Sequence, residues 1–320
     1  MNGSTSLDKT YTIVVNWKLP GDTIDCLQSL FDAGAVDGQI LVVDNGSGDD
    51  SVEQLTAAFG NRIQLLESDK NLGFAGGNNW AIEQALAQGA EWILLANNDT
   101  VVASSFFDEL KSAVTQHPDC SLIAPLILHY SDAKMEAGTV EAQQNRQETI
   151  WSLGDKLIPG TLATRGVLRN QPLPDELPAF VEVDFLNACG LLIHRDVFEQ
   201  VGTFDLSYFM YAEDVDLCWR AQVAGFKLGC ATRARMWHKV TRSTGVNHPA
   251  YRYWRTSNQI RFYRQYATFW QKPIMFCFTI LHVGMSISKD ILAGQFQIIP
   301  PIVRAWFDGW FRKKPVDVLF

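Results

Sequence analysis

Several features that define common classes of protein are missing from this 320-residue chain. Its six cysteines form no C-x-x-C pair and no series of short spacings, which argues against a zinc knuckle and a disulfide framework. The first ten residues, MNGSTSLDKT, are polar and lack the apolar core of a secretory signal. Hydrophobic residues make up 47% of the chain and charged ones only 19%, which excludes a disordered protein. The chain is therefore predicted to be a globular protein of the reducing cytoplasm.

Two common nucleotide-binding fingerprints are absent as well. No G-x-G-x-x-G follows the first predicted strand and no G-x-x-x-x-G-K-[ST] occurs anywhere, which excludes the simplest dehydrogenase and P-loop interpretations. The glycine-rich stretch GFAGGNN (73–79) comes later, after the third predicted strand. By itself it leaves two interpretations open, a tight loop that enters a helix or backbone that approaches a ligand closely.

Charge is distributed unevenly along the chain. Residues 1–232 hold 13 lysines and arginines against 32 acidic residues, whereas residues 233–320 hold 14 against 3. The basic part is also rich in aromatic residues and isoleucine. The C-terminal tail is therefore expected to differ physically from the acidic body.

The first part of the chain alternates between strand-like and helix-like patterns. Short apolar runs, typical of a sheet covered on both faces, predict four strands: YTIVVNW (11–17), QILVVDN (39–45), RIQLLES (62–68) and EWILLAN (91–97). Helical patterns lie between them in GDTIDCLQSLFDAG with Asp22 or Thr23 as N-cap, in SVEQLTAAFG from Ser51, and in NNWAIEQALAQG from Asn78 or Asn79. This alternation predicts right-handed crossovers and a mainly parallel sheet.

Polar residues follow each predicted strand. The first strand ends at Asn16, the second at Asp44 to Ser47, the third at DKNLGFAGGNN, and the fourth at the cluster Asn97 to Thr100. Because ligands of such sheets bind beyond the carboxyl ends of the strands, these loops predict one crevice for a polar ligand.

Residues 131–180 show little periodicity and are predicted to form a long loop with a short hairpin, which is a candidate cover for the ligand. A strand-like run, FVEVDFLNACGLLIHR (180–195), follows and is interrupted at residues 187–190. A short helix is predicted after it, from Asp196.

Three acids, Glu213, Asp214 and Asp216, stand at the start of a further predicted helix. Acids in a first helical turn complement the helix dipole, which is an ordinary structural role. The aromatic residues just before them would partly desolvate a carboxylate; these are Phe204, Tyr208, Phe209 and Tyr211. Such a carboxylate can have a raised pKa and serve as a base near neutral pH.

The tail contains two segments of different character. In YRYWRTSNQIRFYRQYATFW (251–270), four arginines alternate with aromatic residues at helical spacing, and PIMFCFTILHVGMSI (273–287) is apolar but shorter than the roughly 20 residues needed to span a bilayer. Such a tail is predicted to lie in a membrane interface. The alternative is that it packs on the body and offsets its acidic charge.

These motifs, in this order, resemble family 2 glycosyltransferases of the GT-A fold, in particular the bacterial rhamnosyltransferase-like branch. The resemblance covers roughly residues 10–265 and rests on several motifs together. It implies a Rossmann-like, mainly parallel α/β sheet with flanking helices. The predicted organisation is a flexible N-terminus (1–9), a GT-A domain (10–245) and a helical, membrane-associating segment (246–320), with the domain divided near residue 130 into a nucleotide-sugar half and an acceptor half (131–245).

The resemblance assigns roles to particular residues. It places Asp44 on the nucleoside, Asn16 beside the base, and Asn71, Gly73 and Asn78 around the ribose and diphosphate. The stretch NNDT (97–100) matches the motif that holds a divalent cation, Mg²⁺ or Mn²⁺, on the donor diphosphate. Here only Asp99 is acidic, and Asn97 and Asn98 stand where other members carry acids.

The second half of the chain supplies the remaining expected roles. Asp214 matches the catalytic base, with Glu213 next to it, and Arg220 matches a helix residue that supports the acidic motif. A lone histidine is more often structural than a ligand, unless another part of the chain provides an oxygen ligand. The resemblance pairs His238 with Asp99 at the cation.

The implied function is that of an inverting hexosyltransferase, in particular a rhamnosyltransferase, of bacterial cell-surface polysaccharide biosynthesis. The donor would be a dTDP- or UDP-linked sugar, and the acceptor a glycan or a polyprenyl-diphosphate-linked sugar at the inner face of the plasma membrane. One alternative is a non-catalytic nucleotide-sugar-binding or scaffolding module. A nucleotidyltransferase is disfavoured because NWKLPGDT (16–23) lacks a glycine- and arginine-rich loop. No nucleic-acid substrate is expected.

Overall fold

The computed structural model describes residues 7–130, 148–240 and 248–312. Four stretches to which the sequence assigned features lie wholly or partly outside these ranges. They are most of the flexible N-terminus, the first part of the long loop (131–147), the end of the His238 segment (241–247) and the last residues of the tail (313–320).

The first half of the molecule is a parallel sheet with crossover helices, as predicted. Its elements are β1 (Thr10–Asn16), α1 (Pro20–Asp32), β2 (Ile40–Asp44), α2 (Ser51–Phe59), β3 (Gln64–Glu67), α3 (Gly73–Ala87) and β4 (Trp92–Asn97). The strands lie in the order β4-β1-β2-β3, and every pair among them is parallel. Their carboxyl ends therefore meet at one edge of the sheet.

The second half extends the same sheet with mixed strand directions. Its elements are β5 (Thr100–Val102), α4 (Phe106–Gln116), β6 (Cys120–His129), β7 (Ile150–Ser152), β8 (Asp155–Leu157), β9 (Thr164–Gly166), β10 (Phe180–Glu182), β11 (Gly190–His194), α5 (Arg195–Val201), α6 (Glu213–Val223) and β12 (Lys227–His238). Strand β11 runs antiparallel to β4 and β6, while β12 runs parallel to β6. The full order is β10-β12-β6-β11-β4-β1-β2-β3, with β5 on β12 and β7 on β6.

Helices cover both faces of this sheet, which explains why its strands are apolar at successive positions. All five residues of β2 are buried. Residues of β2 that point to one face belong to the same buried cluster as α1, α2 and α4, and those that point to the other face share a cluster with α3, α5 and α6. The predicted α/β class with flanking helices is thus confirmed.

Two predicted helix starts were wrong. Helix α3 begins at Gly73, five residues before the expected Asn78, so GFAGGNN is helical rather than a loop. The backbone at Gly73 has φ +75°, and the Asn71 side chain accepts a hydrogen bond from its N–H, so the turn into the helix is built there. Helix α1 begins at Pro20, whose fixed φ suits the first helical turn, instead of after Asp22 or Thr23.

The part of the predicted long loop that the structure describes contains short strands. Strand β7 pairs with β6, and β8 pairs with β9 as a hairpin. The run at 180–195 is divided into β10 and β11, which lie in different parts of the sheet. Its polar interruption therefore separates two strands instead of bending one.

The tail forms three helices, α7 (Pro249–Tyr266), α8 (Gln271–Leu292) and α9 (Ile299–Phe311). Helix α7 packs on the body: Asn258 Nδ2 donates to the carbonyls of Tyr208 (2.6 Å) and Met210 (2.8 Å), and Arg261 donates to the carbonyl of Ser207. Helix α8 has 22 residues and extends beyond the apolar run 273–287 at both ends. The expectation that this segment is too short to cross a membrane was therefore wrong. Within the described ranges it is the one helix that could cross a membrane by length and composition, a property that core helices share.

All six cysteines are unpaired. Five are buried, and burial raises the pKa of the Cys26 thiol to about 12 and that of Cys120 to about 11. Cys277, on α8, is exposed.

Candidate active site

A chain of hydrogen bonds joins the carboxyl ends of β1, β2 and β4. Asn16 Nδ2 donates to Asp44 Oδ1 (2.8 Å), and Asn16 Oδ1 accepts from Thr23 Oγ1 (2.7 Å). Thr23 Oγ1 in turn accepts from Asn98 Nδ2 (3.1 Å). Thr23, which the sequence suggested only as a helix cap, thus joins Asn16 to Asn98, and Asn16 in turn holds Asp44.

The Asp44 carboxylate is buried and already bonded on both oxygens. Ser47 Oγ donates to Oδ1 (2.5 Å), and the Ser47 N–H donates to Oδ2 (3.1 Å). Together with Asn16, these donors fix the loop after β2 in one conformation. A ligand that bonds to Asp44 must therefore share the carboxylate with donors of the chain itself.

The loop after β3 is tied to the loop after β2 by Asn45. Asn45 Oδ1 accepts from the Leu72 N–H (2.8 Å), and its Nδ2 donates to the carbonyl of Gly73 (3.1 Å). A Cβ at Gly73 would lie 2.5 Å from Phe209, so that position requires glycine. Asn71 and Gly73 thus lie beside the end of β2, in contact with the aromatic segment before α6.

Asn78 is placed differently from Asn71 and Gly73. It lies inside α3, is 2% exposed, and donates through Nδ2 to the carbonyl of Phe74 (2.8 Å). The resemblance assigned it to a loop around the ribose and diphosphate, and no such loop exists at this position. The expected direct contact with the donor stays a prediction.

Asp99 and His238 are side by side at the end of β4. Asp99 Oδ1 lies 3.1 Å from His238 Nε2, and both side chains are less than a tenth exposed. Pairing of β5 with β12, with His238 opposite Thr100, creates this proximity. Two further atoms of these segments, His238 Nδ1 and Asn97 Oδ1, are buried without a hydrogen-bond partner.

These groups fit a hard divalent cation that also has phosphate ligands. Asp99 Oδ1 and His238 Nε2 are 3.1 Å apart, within hydrogen-bonding distance, so one cation could contact both atoms. The partnerless Asn97 Oδ1 is a further oxygen of the preferred kind. Within the described ranges no group of three or more His, Cys, Asp or Glu residues could hold a metal by itself. A cation here would therefore need ligands from a bound diphosphate or water.

A lysine that the sequence did not single out fixes the backbone beside this pair. The Lys239 N–H donates to the carbonyl of Asp99 (2.9 Å), and its Nζ donates to Asp22 Oδ1 (2.7 Å) and Asp25 Oδ2 (2.8 Å) of α1. The Lys239 side chain is 2% exposed. Burial disfavours its charge, but the two carboxylates outweigh that effect, and its pKa is raised. Helix α1 and β12 thus hold the Asp99 turn from two sides.

Helix α6 begins with two acids in different environments. Glu213 is 5% exposed, and its Oε2 has no hydrogen-bond partner. Burial raises the Glu213 pKa well above its ordinary value, and the charge of Asp214 adds to the effect. Asp214 is partly exposed, and burial of its carboxyl raises its pKa although it accepts N–H bonds from Ala188 (3.3 Å) and Val215 (2.8 Å). Of the two, Asp214 is the accessible one.

Arg220 supports the third acid of α6 instead of the first two. Its Nε bonds to Asp216 Oδ2 (2.7 Å), and its other nitrogens donate to the carbonyls of Val201 and Thr203. Asp216 is fully buried and also accepts from Tyr266 OH (2.7 Å) of α7. Arg220 therefore anchors the helix that carries the acids.

The two acidic motifs meet at the residues just before β11. The Ala188 N–H donates to Asp214 Oδ2, and the carbonyl of Cys189 accepts from the Asn97 N–H (2.9 Å). The Cys189 pKa is raised by burial and, less strongly, by the charges of Asp99 and Asp214. The adjacent residues Ala188 and Cys189 thus bond to Asp214 and to Asn97, which precedes the Asp99 turn.

Comparisons with known proteins place the chain among glycosyltransferases. The family model described as glycosyl transferase family 2 matches residues 18–158. An N-acetylglucosaminyl-diphospho-decaprenol L-rhamnosyltransferase of Mycobacterium tuberculosis is 30% identical over 219 residues, 64% of this chain and 68% of that protein. The low-salt glycan biosynthesis hexosyltransferase Agl10 of Haloferax volcanii is 28% identical over 227 residues, 70% of this chain and 65% of that protein.

A solved structure shares the fold at greater evolutionary distance. The crystal structure of GalNAc-T7 with UDP, GalNAc and Mn²⁺ matches with a TM-score of 0.52 at 11% identity. The match covers 80% of this chain but only 47% of that chain, so this protein spans about half its length. At this identity the likeness concerns the fold alone.

Proposed function

Because the chain belongs to glycosyl transferase family 2, and is thus a glycosyltransferase, we propose that it moves a hexose from a nucleoside-diphosphate sugar to an acceptor hydroxyl with inversion. The proposed sugar is rhamnose or a close analogue, carried by dTDP or UDP. The proposed acceptor is a glycan or a sugar linked through diphosphate to a polyprenol, as in the name of the mycobacterial relative. This activity would serve the synthesis of a bacterial surface polysaccharide.

One observation carries the proposal: Asn97, two residues before Asp99, and Asp214 bond to adjacent residues of one short segment, Cys189 and Ala188. A displacement at a sugar carbon needs the leaving diphosphate on one side and a base for the incoming hydroxyl on the other. This arrangement supports a division into a donor side at Asp99 and an acceptor side at Asp214.

In the proposed mechanism, Asp214 accepts the proton of the acceptor hydroxyl while that oxygen attacks the anomeric carbon. The bond from this carbon to the diphosphate oxygen breaks on the opposite face, and the nucleoside diphosphate leaves. The raised pKa of Asp214, caused mainly by burial, makes it a stronger base than an exposed aspartate. Its two backbone N–H bonds hold the carboxylate in place for this transfer.

Asp99 and His238 would hold the divalent cation, Mg²⁺ or Mn²⁺. When bound, such an ion supplies positive charge where the leaving diphosphate develops negative charge. The chain's own contribution is rigidity, because Thr23 and Lys239 hold the two sides of the turn that carries Asp99.

We also propose that the tail docks on the inner face of the plasma membrane. Thirteen of the seventeen exposed large hydrophobic side chains among the described residues lie between 269 and 311. We call this set the apolar tail face: Phe269, Trp270, Ile274, Phe278, Ile280, Leu281, Met285, Ile291, Leu292, Phe296, Val303, Phe307 and Phe311. Such density is unusual for a surface in water, and residues 233–320 carry a net positive charge that suits anionic lipids.

The sequence predicted that the arginines of α7 lie in the membrane interface, but two of them bond to other parts of the protein. Arg252 forms a two-point pair with Asp290 of α8, and Arg261 bonds to the body. The buried side chains of α8, such as Met275 and Val283, face the other helices. We therefore propose that α8 lies on the membrane with its exposed side and does not cross it.

The transfer reaction is tested with a panel of dTDP- and UDP-sugars, Mn²⁺, and a short-prenyl diphospho-N-acetylglucosamine as acceptor. The proposal expects one donor to be consumed with formation of an inverted glycosidic product, identified by NMR. Nucleotide binding without turnover of any donor would instead indicate the non-catalytic module.

Docking is tested by co-sedimentation with vesicles that contain phosphatidylglycerol. The double change Phe269→Glu and Trp270→Glu should release the protein, whereas Val223→Glu, at an exposed apolar position of α6, should not. Equal retention of the wild type and the tail variant would refute the proposed surface.

A further inference from the structure

A line of residues runs from His238 towards Asp214, through side chains as far as Asp155 and through the backbone beyond it. The rings of His238 and Trp151 are 4.5 Å apart, and the Arg169 guanidinium lies 5.7 Å from the centre of the Trp151 ring. Arg169 Nη2 bonds to Asp155 Oδ1 (3.1 Å). None of these three further residues was selected from the sequence, because they fall in the segment predicted to be a loop.

Asp155 completes the connection to Asp214. Its N–H donates to the carbonyl of Phe185 (2.9 Å), and its carbonyl accepts from the N–H of Phe185 (3.1 Å). Three residues later, Ala188 donates to the Asp214 carboxylate. Asp155 is also close enough for its negative charge to add to the effect of burial on the Asp214 pKa.

Arg169 is held firmly although it lies outside the regular strands. The N–H groups of Val167 and Asn170 donate to the carbonyls of Gly154 (3.0 Å) and Ile150 (2.8 Å), which brackets the turn that carries it. A Cβ on Gly166 would lie 2.7 Å from Arg169 Nε, so glycine there leaves room for the arginine stem. About a third of the Arg169 side chain and a fifth of Asp155 stay exposed.

We propose that Trp151, Asp155 and Arg169 form the subsite for the acceptor's sugar ring, an inference that rests on the proposed transfer reaction. The acceptor must reach Asp214, and this line of residues runs from Asp214 towards His238, with Trp151 at the His238 end. Trp151 offers apolar area for the carbon face of a pyranose. Arg169 and Asp155 offer donors and acceptors for neighbouring hydroxyls.

The chemistry of the pair favours a neutral sugar over an anion at this position. The Arg169 charge is already matched by Asp155 at 3.1 Å, and a phosphate would meet the negative charge of Asp155 as well. Sugar hydroxyls, which both donate and accept, satisfy the two groups at once. The subsite is thus assigned to the sugar and not to the lipid diphosphate.

The test is steady-state kinetics of Arg169→Gln with the preferred donor and the short-prenyl diphospho-N-acetylglucosamine acceptor. The acceptor KM should rise about tenfold or more, because a bond between a charged group and a hydroxyl is lost, while the donor KM changes less than about twofold. Hydrolysis of the donor in the absence of acceptor should fall far less than transfer to the acceptor. Arg169→Lys should fall between the wild type and Arg169→Gln, since it keeps the charge and loses the planar fork.

Arg165→Gln is the matched control, because Arg165 is an exposed arginine of β9, the strand that pairs with β8, which carries Asp155. It should leave both KM values unchanged. An unchanged acceptor KM in folded Arg169→Gln, or a raised donor KM, would overturn the subsite. If the wild type consumed none of the donors, the proposed reaction would be refuted instead. Failure of the subsite and failure of the reaction are therefore distinguishable.

Discussion

Replacing Asp214 by asparagine removes the proposed base with little change in shape. Asp214 accepts one backbone N–H on each oxygen, from Val215 and Ala188. Asparagine retains one acceptor oxygen and places an NH₂ group against the other N–H. The loss of one hydrogen bond should destabilise the fold by about 1 kcal/mol.

The effect on catalysis should be far larger than the effect on stability. General-base assistance contributes about 10²–10⁴-fold, or about 3–5 kcal/mol of barrier, and an amide cannot supply it. We therefore expect kcat to fall by this factor while the affinity for the nucleoside diphosphate is unchanged, because Asp214 lies on the acceptor side. Calorimetric nucleotide titration and single-turnover kinetics measure the two quantities separately.

Asp37→Asn is a suitable control for this variant. Asp37 forms an exposed ion pair with Arg62 (3.0 Å) just before β2, at the opposite end of the strands from the site. It should show normal kcat and normal binding. Near-normal turnover of Asp214→Asn would refute the assignment and make Glu213 the next candidate for the base.

Three further changes test other parts of the site. Asp99→Ala should weaken Mn²⁺-dependent nucleotide binding in calorimetry, and an unchanged affinity would remove the cation from the proposal. Burial raises the pKa of Glu213 in the folded state, so its stabilising contribution is lost as pH rises through that pKa. The free energy of unfolding, measured in urea across pH, should therefore decline less steeply with pH in Glu213→Gln than in the wild type. An equally steep decline would contradict this. Arg220→Met should cost about 3–5 kcal/mol by leaving Asp216 buried without its cation, whereas exposed Arg165→Met should cost less than about 0.5 kcal/mol.

The sheet could be predicted because burial on both faces leaves a direct trace in the sequence. The buried strands β2 and β4 appear as unbroken apolar runs, and their polar ends mark the edge at which ligands bind. Helix α3 was placed too late because glycines disfavour helices, and the reason for glycine at Gly73 is its contact with Phe209, more than a hundred residues away. Local propensity contains no information about such a contact.

The candidate site could be predicted only as a set of residue types in order. The family resemblance paired Asp99 with His238, but their 3.1 Å separation depends on β5 pairing with β12. Lys239 was missed because its acidic partners are in α1, more than two hundred residues earlier. In the tail, sequence periodicity identified helices but could not show that the α7 arginines bond inward and that the exposed apolar side chains belong mainly to α8 and α9.

The burial of five of the six thiols makes the remaining one a natural labelling site. Cys277 is exposed on the same helix as much of the apolar tail face, while the other five are enclosed. Raised pKa values at Cys26 and Cys120 further suppress their reactive thiolate form. A maleimide fluorophore added to the native protein would therefore attach at one position, and its emission colour would report directly when that helix leaves water.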